Sequence, residues 1–198
     1  MFAEDSRGFS LVELLMVVAI MGVLAAITVP MSGNAIRYIK VSGDARDVAN
    51  ATAVTKMRAA AKFTQARLYI DKVGKQYYVQ TYDKTTLTWV TDGGATSLAN
   101  TVSFSYGPVA TPPANTQTAI GQAPLCKTNG NTPVDVANTA CVVFNSRGIP
   151  IDSTGSPFGD DAIYVTDGSA VYGITVAATG FIRTWRTNST STPSWTLQ

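Results

Sequence analysis

A carboxylate at Glu13 stands at the entrance of an apolar run and follows the residues Gly8-Phe9-Ser10-Leu11-Val12. From Leu14 to Ile36 no side chain is charged, and at about 1.5 Å per helical residue such a run crosses a hydrocarbon core of roughly 30 Å. An ionised carboxylate costs about 2.5 kcal/mol or more at the centre of a span and less near its edge, so Glu13 calls for a cationic partner. Cutting the chain between Gly8 and Phe9 would supply one, because the new α-amino group would lie four residues before Glu13 on the same helical face. The same amine could reach Glu13 of a neighbouring copy, so that one ion pair sets the register of stacked apolar helices.

Little else is suited to catalysis. The 198 residues contain no His, and there is no G-x-S-x-G, P-loop or G-x-G-x-x-G, so the usual base, nucleophile elbow and phosphate cradles are missing. This reading is of a non-enzymatic protein without a cofactor. Asp152, Asp160 and Asp161 surround a Gly-Ser-Pro-Phe-Gly turn and could hold a hard cation such as calcium, but EF-hand spacing is absent and solvated turn acids account for them. No metal set is assigned.

The elements around these residues follow from pattern. After the apolar span, Pro30, Gly33 and Asn34 precede an Ala-rich stretch, roughly residues 44–67, with Val41, Ala45, Val48, Met57, Ala61 and Leu68 as its apolar positions. One long helix is expected, kinked or locally opened at Pro30, which lacks an amide hydrogen and crowds the preceding turn. Strands are expected over 67–71, 75–82, 86–91 and 101–106, and again over 141–145, 162–166, 170–176 and 181–186, where Val, Tyr and Thr alternate between Gly, Asp and Asn punctuation. Residues 107–140 form a long Pro/Asn/Thr/Gly-rich loop. The result is α+β: an N-terminal helix packed on an antiparallel sheet or sandwich, divided into residues 1–8, an apolar helix 9–36, its amphipathic continuation 37–67 and a β domain 68–198.

Removing Glu4, Asp5 and Arg7 with the first eight residues leaves 14 of 15 basic and 11 of 13 acidic side chains, a net charge of +3. Arg37 to Lys75 holds nine of those cations. They are scattered singly along a helix, as on a solvated or membrane-proximal face, rather than clustered as for nucleic acid.

G-F-S-L-V-E-L-L followed by V-V-A-I-M-G-V-L-A-A-I-T-V-P resembles the leader and core helix of type IV pilins and pseudopilins. An ordinary secretory signal fits poorly, since its n-region would hold Glu4 and Asp5 and its core Glu13. The acidic leader departs from the commonly basic family pattern. The resemblance implies cleavage between Gly8 and Phe9 by a prepilin peptidase, N-methylation of Phe9, an assembly role for Glu13 and a helix bend at Pro30. C-V-V-F-N-S-R-G-I-P, A-I-Y-V-T, G-I-T-V and A-A-T-G-F-I-R-T-W-R resemble the GspH/FimT domain of minor subunits, whose members prime filaments on an inner-membrane platform with other pilins or pseudopilins. The implied protein is a single-pass inner-membrane subunit with a periplasmic β domain, destined for a type IV pilus or, alternatively, a type II secretion pseudopilus.

Two further expectations follow. Cys126 and Cys141 bracket a loop in a domain placed outside the cytoplasm, which favours a disulfide contributing about 3 kcal/mol. Some FimT-like subunits bind DNA through G-R-x-R. Here the chain reads Gly180-Phe181-Ile182-Arg183, so Arg183 matches and Phe181 replaces the first arginine, while Trp185 and Arg186 add a stacking face and a charge. Ordinary alternation on a half-buried strand, with Ile182 and Trp185 inward, explains the same residues.

Overall fold

The structure is a computed structural model that describes residues 10–130 and 132–198, excluding the side chains of residues 29–32 and 34. Helix α1 runs Leu11–Ala61. The chain divides into two units, Met1–Tyr38 and Ile39–Gln198. In the first, Leu11–Thr28 has a mean hydropathy of 2.5 and none of it is buried. The Thr28 hydroxyl donates to Leu24 O at 2.6 Å, which satisfies the polar atom within the helix itself. Helical assignment continues through Pro30 and Gly33; the Pro30 ring lies outside the described side chains.

In the second unit the helix turns Val41, Ala45, Val48, Thr52, Thr55 and Ala59 inward, all fully buried, at the three- and four-residue spacing of one helical face. Small side chains let the sheets approach closely. The two threonines cost little because each hydroxyl donates to the carbonyl four residues earlier, Thr52 to Val48 at 2.8 Å and Thr55 to Ala51 at 2.7 Å.

Nine strands form two antiparallel sheets against this face: β1 Ala66–Asp71, β2 Gln76–Asp83, β3 Thr88–Thr91, β4 Thr96–Ser97, β5 Thr139–Phe144, β6 Asp161–Thr166, β7 Ala170–Val176, β8 Ile182–Asn188 and β9 Thr196–Leu197. The first sheet has the order β3-β2-β1-β5 with β4 also on β2, and the second β6-β7-β8-β9. Leu68, Ile70, Val79, Val142 and Phe144 from the first sheet join Ile163, Val165, Tyr172, Ile174 and Val176 from the second in one core with the helix. Their alternation with outward-facing residues is the period of two that a half-buried strand requires.

The expected 107–140 loop ends earlier, because β5 begins at Thr139; among the described residues of 107–138 there is no named strand, but they are packed. Val109 and the partly buried Ile120 cover the far face of the second sheet with Tyr106, Tyr164, Val171 and Trp195. Gly173 makes room for this second layer, because a Cβ there would lie 2.7 Å from the Tyr164 ring. Along β6, Gln122 Nε2 donates to Tyr164 O and its Oε1 accepts from Tyr164 N, at 2.8 and 2.9 Å. Ala123 N donates to Ala162 O at 2.7 Å, and Ser103 exchanges both backbone bonds with Thr166.

Several boundaries differ from the expectations. The helix stops at Ala61, not near residue 67, because Phe63 takes the left-handed conformation (φ 49°) and Thr64 N donates back to Ala59 O, a C-terminal cap built without glycine. Met57 is 61% exposed and Leu68 lies on β1, so neither belongs to the helix core stripe. Residues 101–106 make only the Ser103–Thr166 bridge, while the short β4 and β9 arise where no strand was expected.

Candidate functional site

Gly8 and Phe9, where processing is expected, lie outside the described residues. Glu13 is described and exposed, in the first turn of α1. Its Oε2 accepts from Ser10 N at 3.3 Å, and Ser10 O takes the first helical bond from Leu14 N. Ser10-x-x-Glu13 is therefore one arm of a capping box, a local role that the sequence pattern itself carries. The side chain lies in the first helical turn, where acidic residues are commonly placed.

Cys126 and Cys141 are joined in a disulfide. It fixes the 124–136 segment to β5, with Cys141 N donating to Pro124 O and Val136 N to Cys126 O, both at 2.8 Å. Asp152 is a turn residue: its Oδ1 accepts from Thr154 N at 2.8 Å and Ser156 N at 3.0 Å, and bonds from Thr154 and Ser156 hold it below the usual carboxylate range. Among the described residues no three acidic, His or Cys side chains converge on a metal position.

Arg183 and Arg186 stand on opposite faces of β8, since an odd separation places strand neighbours on different sides. Arg183 pairs with Thr175 and is exposed, with its guanidinium 5.3 Å from the Phe181 ring. Arg186 pairs with Tyr172 on the core-facing side and is half-buried. Trp185 is on the Arg183 face and donates through Nε1 to Thr175 Oγ1 at 3.0 Å; it does not share a face with Ile182. Gly180, the glycine of the incomplete motif, has φ 74°, and a Cβ there would collide with Gly148 O. Its conformation is demanded by packing.

A larger feature was not singled out in the sequence. The outward face of the first sheet carries a cavity of about 550 Å³, also lined by residues of the disulfide-tied stretch, among them Pro124, Leu125, Lys127 and Pro133, and by Ile151, Asp152 and Phe158. Arg67 of β1 lies within it, 5% exposed. Its guanidinium stacks 4.3 Å from the Trp89 ring, Nε donates to Gln80 Oε1 at 2.8 Å, and NH1 donates to Lys127 O at 2.7 Å. Burial lowers its pKa to about 10, so it remains a cation at neutral pH. Asp161, 3% exposed at the start of β6, also lines the cavity. Burial, followed by the adjacent Asp160, pushes it up to about 7. The signal in the sequence was a cation in the middle of the apolar strand Ala66-Arg67-Leu68-Tyr69-Ile70.

With this geometry in view, residues 5–29 match the model of the prokaryotic N-terminal methylation motif. The chain carries an N-terminal methylation motif. The match spans Gly8, Phe9 and Glu13 and ends one residue before Pro30. The methylation motif thus coincides with the apolar, wholly exposed first part of α1. The minor pseudopilin EpsH from the type 2 secretion system of Vibrio cholerae is a structural neighbour at 9% identity and a TM-score of 0.37, with 80% of this chain and 96% of that chain covered. No curated protein matches the chain.

Proposed function

We propose that the protein is a non-enzymatic minor pilin or pseudopilin, cleaved between Gly8 and Phe9 by prepilin peptidase, methylated at Phe9 and held in the inner membrane by the apolar part of α1. The observation that carries the reading is the methylation motif over residues 5–29, which overlaps the apolar stretch Leu11–Thr28, none of it buried within the described chain. Such a surface needs lipid or other helices around it.

In this reading Glu13 is the assembly group. It exchanges the Ser10 amide for the methylated amine of Phe9, in its own chain or a neighbour's, once the leader is gone. Other pilins or pseudopilins and the inner-membrane platform are the partners, and the β domain lies in the periplasm until assembly. We assign the role to priming or capping a type IV pilus, with a type II secretion pseudopilus as the alternative.

A clean deletion scored for surface filaments and for exported proteins tests both. Lost filaments with normal export support the pilus assignment, trapped exoproteins with normal filaments transfer it to secretion, and no change in either removes the filament role. N-terminal mass analysis of the mature chain tests processing, and an intact Met1 would refute it.

A further inference from the structure

The cavity on the outward face of the first sheet has the features of a built site. Its volume of about 550 Å³ falls in the usual range for small-molecule pockets, roughly 300–1,000 Å³. It contains a buried cation and a buried acid that do not neutralise each other by direct contact. Among the described residues the guanidinium of Arg67 has two neutral hydrogen-bond acceptors and an aromatic face, but no carboxylate within ion-pair distance. A guanidinium has five N–H donors, so two spent on Gln80 and Lys127 leave capacity for an anion. Asp161 Oδ1 is buried without a hydrogen-bond partner, an orphan acceptor where nearly all buried polar atoms are paired.

The other charges of the cavity are already engaged. Lys127 Nζ pairs with Asp135 Oδ1 at 2.6 Å, and Asp152 holds its own turn. Arg67 and Asp161 are thus the two ionisable groups of the cavity with unused hydrogen-bonding capacity, a guanidinium that can take a further acceptor and a carboxyl oxygen that lacks a donor. The same cavity is lined by Trp89, Leu125 and Phe158, which suits an apolar body.

We propose that this cavity binds a small zwitterion of amino-acid or dipeptide size, its carboxylate on Arg67, its ammonium on Asp161 and its side chain against the apolar wall. A neutral sugar would leave the buried cation without a counter-charge, and a simple anion would leave Asp161 unpaired. The disulfide matters because it holds the 124–136 segment, including the Lys127 carbonyl that orients Arg67. The site belongs wholly to the globular unit and does not depend on which filament the chain joins.

The test uses the full chain in detergent and reads the thermal midpoint with leucine, phenylalanine or glycyl-leucine at roughly 10 mM, since a ligand bound only to the folded state must raise it. The expected result is a rise with at least one of these and, for that ligand, a loss of affinity of at least about tenfold when its carboxylate is amidated or its amine acetylated. Asp161→Asn, which keeps the shape of the side chain, should weaken binding by a similar factor while folding normally. No rise with any of the three, equal rises with the amidated and acetylated forms, or a rise with glucose alone would overturn the proposal.

Discussion

Lys56 and Gly180, 124 residues apart, are joined by a 2.9 Å bond from the lysine Nζ to the glycine carbonyl. The lysine stem passes against Gly148, where a Cβ would come within 3.0 Å of it. One helical side chain thereby contacts the turn after β5 and the turn before β8, and so ties both sheets to the helix. Neither glycine can gain a side chain cheaply, because both have positive φ.

Gly180→Ala should destabilise the domain by about 1–3 kcal/mol, from left-handed strain added to the collision with Gly148 O. Lys56→Met should cost about 1 kcal/mol, as the stem packing survives and one hydrogen bond is lost. Urea unfolding with unchanged slopes checks both, and a Gly180→Ala midpoint equal to wild type would refute the packing account.

Asp161 predicts a stability slope of unusual sign. Its folded pKa, about 7, is above the ordinary carboxylate value of 3.8, so between roughly pH 4 and 7 the folded state holds a proton that the unfolded state has lost. Stability from this group therefore falls as pH rises through that window. Burial shifts Asp44 in the same direction, whereas Asp83 and Asp152 are lowered and lose their contribution only as pH falls through their depressed pKa values. Asp161→Asn should flatten the slope and gain up to about 4 kcal/mol above neutrality. Chemical unfolding at several pH values measures it, and an identical slope in the variant would refute it.

Replacing Cys126 and Cys141 together by Ser should cost about 3 kcal/mol in the chain-entropy account. The loss should appear first as faster amide exchange over the 124–136 segment. Exchange that rises uniformly over the domain would show that the bond does not act locally.

Glu13→Ala should leave the unfolding of the globular unit unchanged, because the carboxylate's contact is with Ser10 in the first unit. It should remove the protein from sheared filaments. Normal recovery of the variant there would end the assembly role of Glu13.

Arg183→Ala should be silent in stability and Arg186→Ala should not, since the first is exposed and the second half-buried on the core-facing side. If the chain binds duplex DNA, a salt-dependent affinity must be lost with Arg183. Binding that depended equally on both arginines would contradict their placement on opposite faces of β8.

The fold was legible where a period could be counted. Ala170 to Val176 and Ala162 to Thr166 announced β7 and β6, and the uncharged run after Glu13 announced the helix. The helix end was illegible because Phe63 makes a left-handed cap that glycine usually makes. Thr52 and Thr55 look polar in sequence, and only their bonds to the preceding turn let them replace Met57 in the core. Glu13 and the cysteines carried their chemistry in their spacing. Arg67 and Asp161 did not, because they are 94 residues apart and become one cavity only after the first sheet, the disulfide-bound segment and the start of β6 are assembled.

The bonds that Ser103, Gln122 and Ala123 make along β6 bear on life before assembly. If the chain is anchored as proposed, its copies share a thin layer in which collisions are frequent, and an open strand would invite irreversible backbone pairing between them. By occupying the Ala162, Tyr164 and Thr166 backbone groups within its own chain, the protein keeps that rim from becoming a template, so a crowded pool of subunits can wait without clumping.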